Sequence, residues 1–325
     1  MPDEQDLALN INVTTAENIT AIDVSAKINF KMSNLLKFFN ETQPMTTTET
    51  QPITTTETQP ITTTETQPIE IIPIEKTYKN ALLIGCNYIN SEYELRGCIN
   101  DATNINQILT ESYGFDNIVL LTDETEKKPN KEIILEELKQ LLINASSGDI
   151  LFLSFSGHGI NLVDRNGDEK DGLDEVIVTL DIEYITDDEL NSLIQRHLKK
   201  NVTLFALFDC CHSGTILDLR YQYLDSTRVN KDTENLKNLE TEGNVIMISG
   251  CMDRQTSMDA YIRTAGTYQG AMTWAFLETI NKHPELAWID LLNRMRYYLK
   301  NADYEQIPQL SSGKELDLML NFLSA

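Results

Sequence analysis

Glycine, cysteine, histidine and tryptophan are all missing from the first 80 residues of this 325-residue chain; its 14 glycines, five cysteines, four histidines and two tryptophans lie beyond. Between Glu41 and Glu70 an octapeptide repeats as ETQPMTTT, ETQPITTT, ETQPITTT and ETQPIE. Its prolines, Pro44, Pro52, Pro60 and Pro68, block a helix, and the tract has no period of 2 or 3.6 with which to bury a core. The segment reads as an extended linker, and its repeat is too short for a solenoid, whose units run to roughly 20–50 residues. Before it, INFKMSNLLKFF (28–39) is apolar enough for one short helix or strand. Basic residues are also scarce: 26 Lys and Arg stand against 50 Asp and Glu, a net charge of −24. That balance excludes a nucleic-acid or anionic-membrane partner, which it would repel. No apolar run nears the ~20 residues of a membrane span. The start, MPDEQDLALN, is acidic and lacks the apolar core of a secretory signal. The cysteines, at 86, 98, 210, 211 and 251, are odd in number and not in zinc-ligand spacing. A reducing, cytoplasmic setting is the expectation.

Two regions follow: an N-terminal extension over 1–76 and one α/β domain over 77–325. In the second, apolar runs of strand length alternate with helical patterns. Strands are expected at Asn80–Gly85, Asn117–Leu121, Asp149–Phe155, Val202–Phe208 and Asn244–Ser249. Helices are expected at Cys98–Thr110, from an Asn130 cap to Ala145, at Gly270–Asn281 and at Ala287–Lys300. Near-continuous apolar strands separated by helices predict an α/β fold, a mostly parallel central sheet with helices on both faces.

In such a sheet, ligands bind beyond the carboxyl ends of the strands. The residues that follow each strand are therefore the candidates. The helix after the first strand opens with Cys98 and Asp101, an i, i+3 pair on one face. After the third strand come Ser156, Gly157, His158 and Gly159; after the fourth, Asp209, Cys210, Cys211, His212, Ser213 and Gly214. A thiol needs a partner to be a useful thiolate at neutral pH, and His158 can stabilise it and then protonate a leaving amine. The flanking glycines let a substrate backbone approach and let an N–H face a developing oxyanion. Strand alternation does not separate Cys210 from Cys211, because 202–208 is apolar throughout. Cys86 and Cys251 read as small buried hydrophobes. Asp101 and Asp209 could supply the fixed charge that a buried cationic side chain requires. Asp101 also suits the first turn of a helix on dipole grounds alone.

These motifs resemble those of metacaspases, the caspase-related peptidases: SFSGHG and FDCCHSGT carry the histidine and cysteine, with LRGCINDA, DGLDEVIV, SGCMDRQTSMDA, GAMTWAF and QIPQLS following the same order over nearly all of 77–325. The caspase Q-A-C-x-G signature is absent. The resemblance implies a caspase–haemoglobinase fold, a catalytic dyad of His158 and Cys211, and cleavage after Arg or Lys. It makes Cys211 the nucleophile, because that cysteine directly precedes His-Ser-Gly, and it leaves Cys210 a neighbour. It lines the substrate pocket with Cys98, Asp101, Ser156 and Asp209. The N–H groups of Gly159 and Cys211 are the expected oxyanion donors, and a monomer is the expected state.

Acidic residues crowd the stretch from Asp164 to Asp188, and dense carboxylates suit a hard cation such as Ca²⁺. An EF-hand register from Asp164 fails, since its sixth position is Glu169 instead of glycine. Thr186 to Glu189 is a capping box, so Asp187 and Asp188 have an ordinary role as first-turn acids, the better account on residues alone. The resemblance implies Ca²⁺ bound by Asp171, Asp187, Asp188 and Asp218, with Asp174 an alternative to Asp171. The polar stretch at about 219–243, with Arg220, Arg228, Lys231 and Lys237, is the expected flexible segment for self-cleavage. Two other readings compete. One is a catalytically idle scaffold that binds partners, against which the retained His158, Cys211, Asp101 and Asp209 argue. The other is a zinc site at Cys210, Cys211 and His212, whose adjacent ligands close a tetrahedron poorly.

Overall fold

The computed structural model describes residues 76–164, 172–211, 214–223, 229–230, 240–250, 259–262 and 266–323, with 229–230 and 259–262 described by backbone alone. In chain order the elements are β1 (Lys79–Gly85), α1 (Cys98–Tyr113), β2 (Asn117–Thr122), α2 (Lys131–Asn144), β3 (Ile150–Ser156), β4 (Gly159–Val163), β5 (Leu173–Val178), β6 (Tyr184–Thr186), α3 (Asp187–His197) and β7 (Thr203–Asp209). There follow β8 (Tyr221–Tyr223), β9 (Val229–Asn230), β10 (Asn244–Ser249), β11 (Asp259–Ile262), β12 (Thr267–Gly270), α4 (Ala271–Lys282), α5 (Trp288–Asn301) and β13 (Gln309–Ser312).

The central sheet runs β2-β1-β3-β7-β10-β13-β8-β9. Its first five strands are the expected apolar runs, and all pair in parallel. Beyond β10 the pairing turns antiparallel, through β13, β8 and β9. The sequence reading did not place β13, because four residues of mixed polarity carry no apolar run. Nor did it place the separate sheet β4-β5-β6, whose strands turn back on one another next to the histidine motif. Of the expected flexible stretch, Tyr221–Tyr223 and Val229–Asn230 pair as a hairpin at the sheet edge, while 224–228 and 231–239 lie outside the described residues.

Side chains alternate between the two faces, as the pleat requires. Phe152 of β3 and Phe205 and Leu207 of β7 point to the layer that contains α1, α4 and α5. Leu151, Leu153 and Phe155 of β3, with Leu204, Ala206 and Phe208 of β7, point to the layer that contains α2 and α3. Phe205 is fully buried, with its ring 5.1–5.9 Å from those of Phe152, Trp288, Phe322 and Phe276. Both faces are covered, so the strand ends are where chemistry can reach solvent.

Candidate active site

In the parallel register of β3 and β7, Ser156 stands opposite Asp209, so the two motif loops leave the sheet side by side. The contact continues one residue further, where Gly157 N–H donates to the Asp209 carbonyl over 3.5 Å. Past it the loops interlock. An ideal Cβ on Gly159 would lie 2.2 Å from the Cys211 carbonyl oxygen and 3.3 Å from Cys210 Sγ. Only glycine permits that approach. Cys211 is partly exposed, whereas Cys210 is buried in the core under the sheet, which gives the two adjacent thiols different surroundings.

His158 is fixed by the loop after β1. Its Nε2 lies 2.8 Å from the Tyr93 carbonyl oxygen. A carbonyl can only accept, so Nε2 carries the proton and Nδ1 is left as the basic nitrogen. The His158 main-chain N–H donates to the Tyr88 hydroxyl over 2.9 Å. The sequence reading missed both tyrosines. Tyr93 acts through its backbone, which no side-chain pattern reveals; Tyr88 lies three residues beyond the end of β1, where the only signal was its place at the sheet's carboxyl edge.

The four residues expected to line the substrate pocket do come together. Ser156 Oγ donates to Asp101 Oδ2 over 2.6 Å, and Gly270 N–H donates to both Asp101 oxygens at 3.0 Å. Thr273 N–H, in the first turn of α4, donates to Asp209 Oδ2 over 2.8 Å. A Cβ on Gly270 would lie 2.1 Å from Asp209 Oδ2 and 2.9 Å from Asp101 Oδ2. The two buried carboxylates therefore flank one glycine, and both are held by the start of a helix whose exposed N–H groups favour negative charge. The Cys98 thiol sits beside them; burial first, and then the Asp101 charge, push its pKa well up, so it is a neutral wall and not a nucleophile.

A second acidic group lies across β5 and α3. Asp187 is buried, accepting from Glu175 N–H at 2.8 Å and Asp188 N–H at 2.7 Å. The Thr186–Glu189 capping box is formed as expected. Burial, followed by the charges of Asp187 and Asp218, raises Glu175 to about 9; burial, with a further contribution from Asp174, raises Asp187 to about 6. Asp218 is buried in the left-handed region at φ 47°, close enough to raise Glu175. Of the four expected calcium ligands, Asp187 and Asp218 thus share a site with Glu175, which the sequence reading missed although it is an acid within the apolar run of β5. Asp188 is half-buried and lines a groove of about 610 Å³ between α2 and α3 with Leu135 and Arg196. Asp171 lies outside the described residues, as does His212 of the zinc alternative. The donor set suits a hard cation, since a buried Glu175 Oε2 has no hydrogen-bond partner among the described residues and the neighbouring acids repel one another. Even so, among the described residues no three such ligands are already arranged to hold a metal.

A family model described as metacaspase, peptidase C14 domain, matches residues 79–220. Metacaspase-1 of Kluyveromyces lactis is 37% identical over 298 residues, covering 75% of this chain and 68% of the relative. Metacaspase-1A of Neurospora crassa is 36% identical over 297 residues, covering 75% of this chain and 65% of the relative. The chain thus spans about two thirds of the length of these relatives. A crystal structure of a Geobacter sulfurreducens protein has the same fold, with a TM-score of 0.55 at 22% identity over 74% of this chain and 95% of that one. Identity at this level over two thirds or more of a metacaspase means that the chain belongs to the metacaspase family and is a cysteine peptidase of caspase-like α/β fold.

Proposed function

We propose that this protein is a calcium-dependent endopeptidase that cleaves after Arg or Lys through the dyad of His158 and Cys211. The observation that carries the specificity is the pair of buried carboxylates, Asp101 and Asp209, either side of Gly270. An Arg or Lys side chain leaves water at a cost that only fixed negative charge offsets, and an acidic side chain would be repelled there. In the reaction, His158 Nδ1 takes the Cys211 thiol proton as the sulfur attacks the scissile carbonyl carbon. The N–H groups of Gly159 and Cys211 receive the oxyanion. Collapse of that intermediate breaks the C–N bond, His158 protonates the departing amine, and a thioester remains. Water activated by the same imidazole then hydrolyses the thioester and restores the thiol. Throughout, the Tyr93 carbonyl orients the imidazole by accepting from Nε2.

Calcium would be held by Asp187 and Asp218, with Asp188 and Asp171 completing the set and Asp174 as the alternative to Asp171. When bound, the ion would supply positive charge where buried acids otherwise hold protons. Its coupling to the dyad has a short route. Glu175 and Val178 lie on the same strand, and Val178 N–H donates to the His158 carbonyl over 2.9 Å. Self-cleavage within 219–243, at Arg220, Arg228, Lys231 or Lys237, belongs to the same proposal. So does a monomeric state, which is favoured by the short β8–β9 hairpin that covers the outer edge of β13. No helix among the described residues is long and apolar enough to cross a membrane; a cytoplasmic setting is part of the same proposal.

The test compares fluorogenic peptides with Arg, Lys or Asp in the P1 position, with Ca²⁺ and with chelator. Hydrolysis after Arg and Lys only, and only with Ca²⁺, is expected. Cleavage after Asp would sink the pocket assignment, and equal rates in chelator would remove calcium from the mechanism. Mass spectrometry of the Ca²⁺-treated protein beside Cys211→Ala reads the self-cleavage.

A further inference from the structure

The loop between β1 and α1 reaches His158 twice, and only its Tyr93 contact enters the chemistry above. The other is made by Tyr88, which is 2% exposed. Its hydroxyl donates to the Val178 carbonyl over 2.7 Å and accepts from the His158 N–H over 2.9 Å. Its ring lies against the imidazole, with centroids 4.9 Å apart and planes inclined by 32°. Because Val178 N–H donates back to the His158 carbonyl, the histidine is held at its N–H, at its C=O and on one ring face.

Two features mark this as more than packing. Tyr88 adopts φ 49°, the left-handed region, which costs a residue with a side chain about 1–2 kcal/mol. Such a conformation persists where its surroundings impose it. The same loop is also pinned at its base, where Asn87 N–H and Ile89 N–H donate to the Asp123 carboxylate at 2.7 and 3.0 Å. One anchored loop thus presents a phenol to the face of the imidazole and a carbonyl to its Nε2.

We propose that Tyr88 is a positioning residue for His158: it fixes the plane of the ring so that Nε2–H stays on the Tyr93 carbonyl while Nδ1 faces the thiol. This rests on the dyad reading of His158 and Cys211. The consequence is one of aim. A carbonyl that accepts from Nε2 keeps the proton there and leaves Nδ1 to take the thiol proton. A ring released from Tyr88 no longer holds Nδ1 toward the sulfur, so proton transfer from the thiol is impaired.

The test measures the rate of Cys211 alkylation by iodoacetamide against pH, read by mass spectrometry, together with kcat and KM. Full-length wild type, Tyr88→Phe and His158→Ala are compared at a temperature where each is folded. Tyr88→Phe is expected to lower kcat by ~10–100-fold with KM changed less than about twofold, and to move the pH profile of alkylation toward that of His158→Ala. A merely structural tyrosine would alter the folded fraction and leave that profile in place. A wild-type profile in Tyr88→Phe, with His158→Ala still altered, overturns the role of Tyr88. Identical profiles in wild type and His158→Ala overturn the dyad itself, a separate failure. Where Tyr88→Phe does not fold, 4-aminophenylalanine at position 88 keeps the shape and the donor to Val178 while weakening the acceptor for His158 N–H. It is expected to move the pH profile of alkylation in the same sense, and an unchanged profile there counts against the proposal.

Discussion

Thr273 donates its main-chain N–H to the Asp209 carboxylate over 2.8 Å, so the acid that ends β7 is also the N-terminal cap of α4. The helix cannot cap itself, because its own N-cap position is Gly270, and a side chain there would collide with the same carboxylate. Asp101 is tied to that turn in the same way, through Gly270 N–H. Two acids read from the sequence as a pocket for cations therefore also hold the start of α4.

The two roles separate by substitution. Asp209→Asn keeps an oxygen for Thr273 N–H and removes the charge. It is expected to melt close to wild type while kcat/KM for Arg substrates falls by ~2–5 kcal/mol of binding free energy. Asp209→Ala removes both, and adds a loss of roughly 1–2 kcal/mol of stability through the lost cap. Thermal melts and P1-Arg kinetics decide the matter. Unimpaired cleavage after Arg by Asp209→Asn would leave the carboxylate a cap alone.

A second expectation concerns the core that holds the strand ends in register. Phe205 is fully buried, with four aromatic rings within 6 Å of its own. Phe205→Ala is expected to destabilise the domain by ~3–5 kcal/mol through lost burial and the cavity left behind. Denaturant unfolding measures this as a lower midpoint. A change below about 1 kcal/mol would mean that the aromatic layer refills the space.

The calcium-free protein is expected to lose stability as pH rises. A carboxyl whose folded pKa lies above its unfolded value keeps a proton that the unfolded chain releases, so folding is favoured at low pH and less so as pH climbs through the folded value. Glu175 rises from an ordinary 4.5 to about 9, and Asp187 from 3.8 to about 6, with burial the first cause in each. Melting temperature in chelator is therefore expected to fall between about pH 5 and pH 9, and Glu175→Gln is expected to flatten that slope. A slope that survives Glu175→Gln would point to other groups.

Much of this was written in the chain and some was not. The five parallel strands were legible because each is a run of apolar residues that the pleat must bury on both faces. His158, Asp101, Asp209 and the cysteine pair were legible as neighbours because an open parallel sheet gathers whatever follows its strands to one edge, whereas Cys211 was told from Cys210 only by the family resemblance. Tyr93 was not legible, because its part is played by a carbonyl oxygen 65 residues from the imidazole it holds. Glu175 was hidden in a strand that reads as ordinary, and its significance comes only from Asp187 and Asp218 arriving beside it. β13 was missed because antiparallel pairing at a sheet edge needs no long apolar run.

Gly159 joins the two halves of the site, and its substitution tests that junction directly. A methyl there would meet the Cys211 carbonyl oxygen at 2.2 Å, and that atom is backbone, so the histidine and cysteine loops would have to part. The shift falls outside the aromatic core, which leaves most of the folding free energy untouched. Gly159→Ala is therefore expected to lower kcat by ~100-fold or more, the usual cost of misplacing reacting groups by an ångström, while the melting temperature moves by only a few degrees. Activity and melting curves on the same preparation provide the check. Near-wild-type kcat would show that the loops tolerate the displacement and that their close contact is incidental to catalysis.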